Sequence, residues 1–588
     1  MKMLKRTEPV SKRRPSVGLL ACLACVAAAS CAGSPPSASN SAADAGAAGR
    51  GVDVSGADGG GAGPSGAGMS NGGLGTGKGG MSPASGGSNL AEGGVTDYTA
   101  GLPPLGGAAG KAPFDWAGVI GTGQSLSVGW EGDALSATQV FGNLKLQDDG
   151  ADPKYPLTDA ATANWSVVPL TEPIRKTVSG NTDNQYPNNI WHAGDIYGET
   201  PHSGMANMIS SVWGRRNGAS YVSAHSVVGV AGVGIAQLSK GTNSYAAAIN
   251  ETQIFKRLAT AAGKTYGVSA IILTHGEADA ANAAYGGAVW QLYQDYNADL
   301  RKVTGQTGDV VMIASQQSSA SLVGAGGSAV QIWQLGVDHP GRIVCAGPKY
   351  QYGPYGLHMS GPSYLRLGEK YGEIFDLIVN QGQAWKPVSP NKVTRAGAVL
   401  TIDFDVPTAP LTWDSRLTAP HQQAHTPWSK GRGFEVSDSS GKELEIESVQ
   451  IQNTSVVLTL AQTPAAGVLT LAYAITQDTT DGNQGGTDAG AHGQLRDSDE
   501  MIGPDFEKIE VSVTNGSTAI KAAQGGFVRR APRDVVTGPG LAHDTVATKL
   551  EYENMVLSSP WPGDTGKATL TFNHDLHNYC VHFSIPVP

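Results

Sequence analysis

Cysteine is scarce: the chain has 5 in 588 residues, and Cys22 and Cys25 sit near its N-terminus. That excludes a disulfide-framed fold and a cysteine-built metal cluster in the body of the chain. Positive charge is not in excess either. Forty Lys and Arg against 50 Asp and Glu leave a net charge of −10, and no basic stripe interleaved with aromatics occurs. A nucleic-acid partner is therefore not expected. The 13 histidines are scattered, and the region from 112 to 386 has no His-x-x-x-His, His-Glu-x-x-His or Cys-x-x-Cys pair. No metal and no other cofactor is expected.

Glycine, by contrast, is abundant: 80 residues, about twice the usual share. It is concentrated near the N-terminus, after a distinct leading segment. Residues 1–31 carry a basic stretch (Lys2, Lys5, Arg6, Lys12, Arg13, Arg14) and then an apolar run from Val17 to Ala29. That run is too short for a stable membrane span. Ala28-Ala29-Ser30 then precede Cys31, which resembles a bacterial lipoprotein signal whose cysteine is lipidated; a plain secretory signal is the alternative. Both readings export the protein, the first to the cell envelope with a membrane contact only through the lipid. Residues 32–111 are Gly, Ala and Ser with few large apolar side chains. They cannot bury enough surface to offset their ordering entropy, so a disordered tether is expected, with an end-to-end distance of roughly 45–55 Å.

Periodicity begins at Phe114. Apolar, β-branched runs (Trp116–Ile120, Tyr221–Val230, Val268–Thr274, Asp309–Ser315, Arg342–Ala346) alternate with helical patterns (Ser203–Arg215, Asn243–Ala262, a face of Val289, Leu292, Tyr293, Tyr296, Leu300 and Val303, and Ser360–Val379). Strands alternating with helices predict right-handed crossovers and a largely parallel sheet covered on both sides, a flavodoxin-like three-layer α/β/α sandwich over 112–386. From 387 to 588 the helical pattern stops. Ala398–Val406, Ser448–Leu460, Gly467–Ala474, Phe506–Val513, Ala568–Phe572 and His577–Phe583 read as strands, predicting a β-rich region built as one β-sandwich or two small ones.

Four stretches fall where strands of the α/β region should end: Gly123-Gln124-Ser125, Ala231-Gly232-Val233, His275-Gly276-Glu277-Ala278-Asp279 and Gly356-Leu357-His358. An open α/β sheet gathers its chemistry at that edge. Acyl transfer needs a nucleophilic oxygen, a base for its proton and donors for the oxyanion. Ser125 is the candidate nucleophile and His358 the candidate base. A turn serine and a surface histidine at a helix start are the plainer alternatives. His421 and His425 stand four apart in a proline-containing stretch, and Asp478, Asp481 and Asp488 lie in a glycine-rich one. Loop structure is expected at both rather than a metal. Cys345 and Cys580 sit in apolar surroundings and read as two buried thiols.

The four blocks, in this order, resemble those of the SGNH (GDSL-like) hydrolases, closest to the carbohydrate-esterase branch with sialate O-acetylesterase and acetyl xylan esterases. The resemblance covers roughly 114–385. It implies Ser125 as nucleophile, His358 as base, and an oxyanion hole from Ser125, Gly232 and His275. Two positions depart from the pattern. His275 stands where the family has Gln, and a ring N–H can also donate. Tyr355 stands three residues before His358, where the family has an acid. Asp338, Glu277 and Asp279 are the candidates for an orienting acid, Glu277 alternatively as a residue that fixes the loops. The implied activity is an exported serine esterase releasing acetyl or other short acyl groups from carbohydrates. A lipase or phospholipase of the same fold and a non-catalytic glycan-binding protein remain the alternatives. Trp130, Trp165, Tyr186 and Trp191 would suit sugar stacking or core packing equally.

Overall fold

The structure is a computed structural model. It describes residues 105–106, 109–130, 132, 134–148, 164–175, 198–318, 326–352, 358–359, 361–415, 417–478, 491–501, 503–504 and 576–588, with strand segments between 508 and 571. All of them belong to one compact unit, Gly87–Pro588. Cys31, the N-terminal signal and most of the glycine-rich stretch lie outside the described residues, as do Tyr186, Trp191, Tyr355, Asp481 and Asp488.

The organising element is a seven-stranded sheet. In chain order its strands are β1 (Trp116–Gly123), β2 (Leu144–Asp148), β3 (Trp165–Pro169), β4 (Ser223–Val227), β5 (Tyr266–Thr274), β6 (Val311–Ser315) and β7 (Ile343–Gly347). In space the order is β3-β2-β4-β1-β5-β6-β7. Every pairing is parallel except β2 with β3. Strand β1 is flanked by β4 and β5, so the chain reverses its winding direction beside β1. A crevice opens at the carboxyl end of such a strand.

Alternation along the strands gives two apolar cores. Trp116, Ile120, Val268, Ile271 and Leu273 join one with Phe255, Tyr296 and Ile332. Ala117, Val119, Ala270 and Ile272 join the other with Met205, Ile209, Tyr364 and Phe375. The first core takes its helical side chains from α2 (Asn243–Ala261), α3 (Tyr285–Thr304) and α4 (Ser328–Asp338); the second takes them from α1 (Pro201–Asn217) and α5 (Gly361–Phe375). This is the expected α/β layering, because successive strand residues point to opposite faces.

Element ends differ from the sequence reading where capping decides. Helix α1 begins at Pro201, because the Thr200 side chain accepts from the His202 N–H at 3.1 Å and Pro201 occupies the first turn. The β2–β3 hairpin was hidden in a polar stretch that reads as irregular. Helix α4 was missed as well. The run read as one strand over 448–460 is a hairpin, Ile446–Gln452 and Ser455–Leu460, turning at Asn453 with φ 56°.

Beyond residue 387 the chain forms separate antiparallel sheets. A four-stranded one contains Ser389–Ala396, Val399–Asp405, Ser455–Leu460 and Ile446–Gln452; a three-stranded one contains Phe434–Ser437, Leu469–Tyr473 and Phe583–Val587. Their inward residues (Leu400, Ile402, Val456, Phe434, Leu471, Phe583) share one apolar cluster. The stretch 577–582 is not the regular strand its pattern suggested. Its backbone groups are taken by different partners: Asn578 N–H donates to the Asp497 carboxylate (2.9 Å), Cys580 N–H to the Leu495 carbonyl and Val581 N–H to the Val388 carbonyl (both 3.0 Å), and His582 N–H to the Gln316 side chain (2.9 Å). Cys345 and Cys580 are both buried and free.

Candidate active site

Strand β1 is buried along its whole length and ends at Gly123 with φ 140°. A Cβ there would lie 2.1 Å from the carbonyl oxygen of Thr274, the last residue of β5. Only glycine allows this approach. The next residue seals it: Gln124 N–H donates to the same carbonyl at 3.2 Å. Ser125 then opens a single 3-10 turn, Ser125–Ser127. The Ser125 carbonyl accepts from Val128 and Trp130 N–H (both 3.2 Å), and Ser127 Oγ donates to the Gln124 carbonyl at 2.6 Å. The serine is thus held at the carboxyl end of the central strand.

His358 comes from the far side of the sheet, 233 residues later, and puts its Nε2 2.8 Å from Ser125 Oγ. The separation is that of a hydroxyl donating to an imidazole nitrogen. Trp130 packs on the histidine, with ring centroids 6.1 Å apart and planes 35° apart. Tyr364 Oη in turn donates to the Trp130 carbonyl at 2.9 Å, so α5 steadies the turn that packs on His358.

The second block borders this pair. Val230 N–H donates to the Gly123 carbonyl at 2.9 Å. Ala231 packs on Trp130. Gly232 follows at an exposed turn with φ 74°.

The third block corrects two expectations. His275 is fully buried, with Nε2 3.0 Å from the Val233 carbonyl and Nδ1 3.1 Å from Tyr285 Oη. The carbonyl can only accept, so Nε2–H donates to it and Nδ1 accepts from the tyrosine. Both ring nitrogens are spent inside the protein, and His275 has no N–H left for an oxyanion. Burial also lowers its pKa. Its place is that of a core histidine tying β5 to the Val233 turn.

Each of the proposed orienting acids has a partner other than His358. Asp338 is exposed at the end of α4, accepts from Gln334 at 2.9 Å, and precedes β7, which places it at the opposite end of the sheet. Asp279 accepts from the Ile235 N–H at 2.5 Å and from Asn282 at 2.9 Å, fastening the third block to the second. Glu277 pairs with Lys349 at 2.9 Å. Sequence reasoning missed two other residues. One is Gln124, whose Oε1 accepts from Ala278 N–H at 3.0 Å and joins the Ser125 turn to the third block. The other is Lys349, whose signal was only a lone lysine just after a buried strand.

The remaining candidates lie elsewhere. Trp165 is buried in the sheet's core. His425 pairs with Glu443 at 2.6 Å, His421 sits 3.5 Å from Glu435, and Asp478 accepts the N–H groups of Gln422, Gln423 and Ala424.

Two buried carboxyls brace the wall beside Gly129 and Trp130. Glu199 accepts from Leu135 N–H (2.7 Å), Ser136 N–H (2.9 Å) and Ser136 Oγ (2.6 Å). Glu172 accepts from Thr200 N–H (3.1 Å), Thr200 Oγ1 (2.6 Å) and Ser203 Oγ (2.8 Å). Burial pushes the Glu172 carboxyl up to about 7, and burial with the Glu172 charge pushes Glu199 up too. An acid raised in this way holds its proton more tightly folded than unfolded. Its contribution to stability is full below the ordinary value of 4.5 and is lost as pH rises through about 7. The melting temperature of Glu172→Gln should therefore fall less from about pH 5 to about pH 7.5 than that of the parent. Equal slopes would show that Glu172 does not titrate in that window.

No family model matches the chain, and no curated protein matches it. Among solved structures it is similar to a carbohydrate acetylesterase from Xanthomonas citri, at 12% identity and TM-score 0.41 over 63% of this chain and 77% of that one. It is also similar to a protein from Arabidopsis thaliana, at 16% identity and TM-score 0.31 over 44% of this chain and 97% of that one. A third, NanS, aligns at 10% identity and TM-score 0.30 over 45% of this chain and 98% of that one.

Proposed function

We propose that this chain is a serine esterase of the SGNH type, with a flavodoxin-like catalytic region and a β-sandwich-like accessory region, that removes acetyl or other short acyl groups from carbohydrates. The observation that carries the reading is the 2.8 Å contact between His358 Nε2 and Ser125 Oγ at the carboxyl end of the central strand. The order of the four sequence blocks supports the family and, through it, the carbohydrate ester as substrate.

In this mechanism His358 takes the Ser125 proton as Oγ attacks the ester carbonyl. The N–H groups of Ser125 and Gly232 face the oxyanion, with no help from His275. The alcohol leaves with the proton from His358. Water, activated by the same ring, then attacks the acyl-enzyme and releases the acid. These steps draw on protein groups alone and call for no cofactor. Export, with a lipid on Cys31 holding the protein to the cell envelope by a long tether, completes the proposal.

The test is hydrolysis of naphthyl esters of increasing acyl length by the full chain, beside acetylated xylan. Acetyl should be the preferred group, with acetate released from the polysaccharide. A preference for long chains would replace the reading with a lipase. Inactivity on every ester, combined with glycan binding, would replace it with a binding protein.

A further inference from the structure

Ser125 follows β1 and His358 follows β7, so contacts between the two sides bear on the distance between them. A buried ion pair joins the two sides. Lys349, two residues beyond β7 on the segment that leads to His358, places Nζ 2.9 Å from Glu277 Oε1, with the two side chains only 1% and 2% exposed. Glu277 lies beside Ala278, whose N–H holds the Gln124 side chain next to Ser125. On its other side Lys349 is pinned through its own N–H, which donates to Ser318 Oγ at 2.8 Å. Ser318 Oγ also meets His582 Nε2 at 2.9 Å, and His582 Nδ1 bonds the Ala474 carbonyl. The path therefore runs from the nucleophile turn to the base segment and on into the β-rich region.

Burying two full charges is expensive, and a neutral pair of similar volume often serves stability as well. We infer that Lys349 and Glu277 are positioning residues that set the register of His358 against Ser125, a reading that rests on the esterase proposal above. Neither touches the reacting atoms. They act by holding two loops at the separation the proton transfer needs.

The test compares the full-length parent, Lys349→Met, Glu277→Gln and the double variant, with kcat and KM for acetyl ester hydrolysis and thermal unfolding on each. Each single variant leaves an unpaired buried charge and should lose both stability and kcat. The double variant has no unpaired charge and should regain a melting temperature near the parent's. If the pair positions, the double variant still has kcat lowered by roughly 10- to 100-fold at unchanged KM. A double variant with the parent's kcat overturns the inference, and so does one that stays unfolded, which makes the pair structural. A parent with no esterase activity overturns the functional proposal itself, so the two failures are told apart by the parent alone.

Discussion

Ser125→Ala should abolish ester hydrolysis while leaving the fold in place. Removing a nucleophile that works as a unit with its base costs on the order of 10⁴-fold or more in kcat. The structural cost should be slight, because the lost Oγ has His358 Nε2 as its hydrogen-bond partner. His358→Ala should reach a similar floor, and the double variant should be no slower than either single one, since each step of the proposed chemistry uses both groups. The measurement is turnover of an acetylated sugar, whose poor leaving group keeps a stray imidazole from mimicking the enzyme. Thermal unfolding run alongside shows that the variants are folded. Should Ser125→Ala keep a tenth of the parent's activity or more, the nucleophile lies elsewhere.

Gly123→Ala should cost both stability and activity although the residue takes no part in the chemistry. Its Cβ would lie 2.1 Å from the Thr274 carbonyl oxygen, 2.8 Å from the carbonyl carbon and 3.1 Å from Ser127 Cβ. Neither backbone can give way cheaply. The Gly123 carbonyl is held by Val230, and the Thr274 carbonyl by Gln124. The φ of 140° adds strain for any side chain. Relief requires moving the turn that carries Ser125, and a displacement of about 1 Å is enough to cost about 100-fold in rate. A loss of about 3 kcal/mol or more in stability is expected with it. Gly263→Ala is the control. That glycine also has a positive φ, 68°, but no heavy atom stands within 4 Å of its missing Cβ. It should lose on the order of 1–2 kcal/mol and no activity. Similar behaviour of the two variants would mean that the approach at Gly123 is not what holds the Ser125 turn.

Much of the site was legible because strand ends are marked locally. A buried β-branched run that stops at Gly-Gln-Ser announces a turn with a serine on it. His358 was legible only as the fourth block in a series, for nothing near it in sequence points to Ser125. His275 shows where such reading fails. Its motif placed it at the right loop, and Tyr285 and Val233 then occupied both ring nitrogens. Asp338 was proposed on sequence proximity, yet a residue that precedes a parallel strand lies at the wrong end of the sheet. The β2–β3 hairpin went unseen because its strands are short and partly polar, with Lys145, Gln147 and Ser166 in them.

By itself the sequence determined the class of fold and singled out Ser125 and His358 as the candidates for nucleophile and base. Both rest on local signals: the period of apolar residues, and small or polar residues where strands end. Tertiary structure decided everything that depends on distance between remote segments. It brought His358 to Ser125, pressed Gly123 against Thr274, paired Lys349 with Glu277, and stitched residues 577–582 to the sheet that carries the site. Those contacts follow from packing and from the need to satisfy buried polar groups, and no residue's own neighbours along the chain specify either.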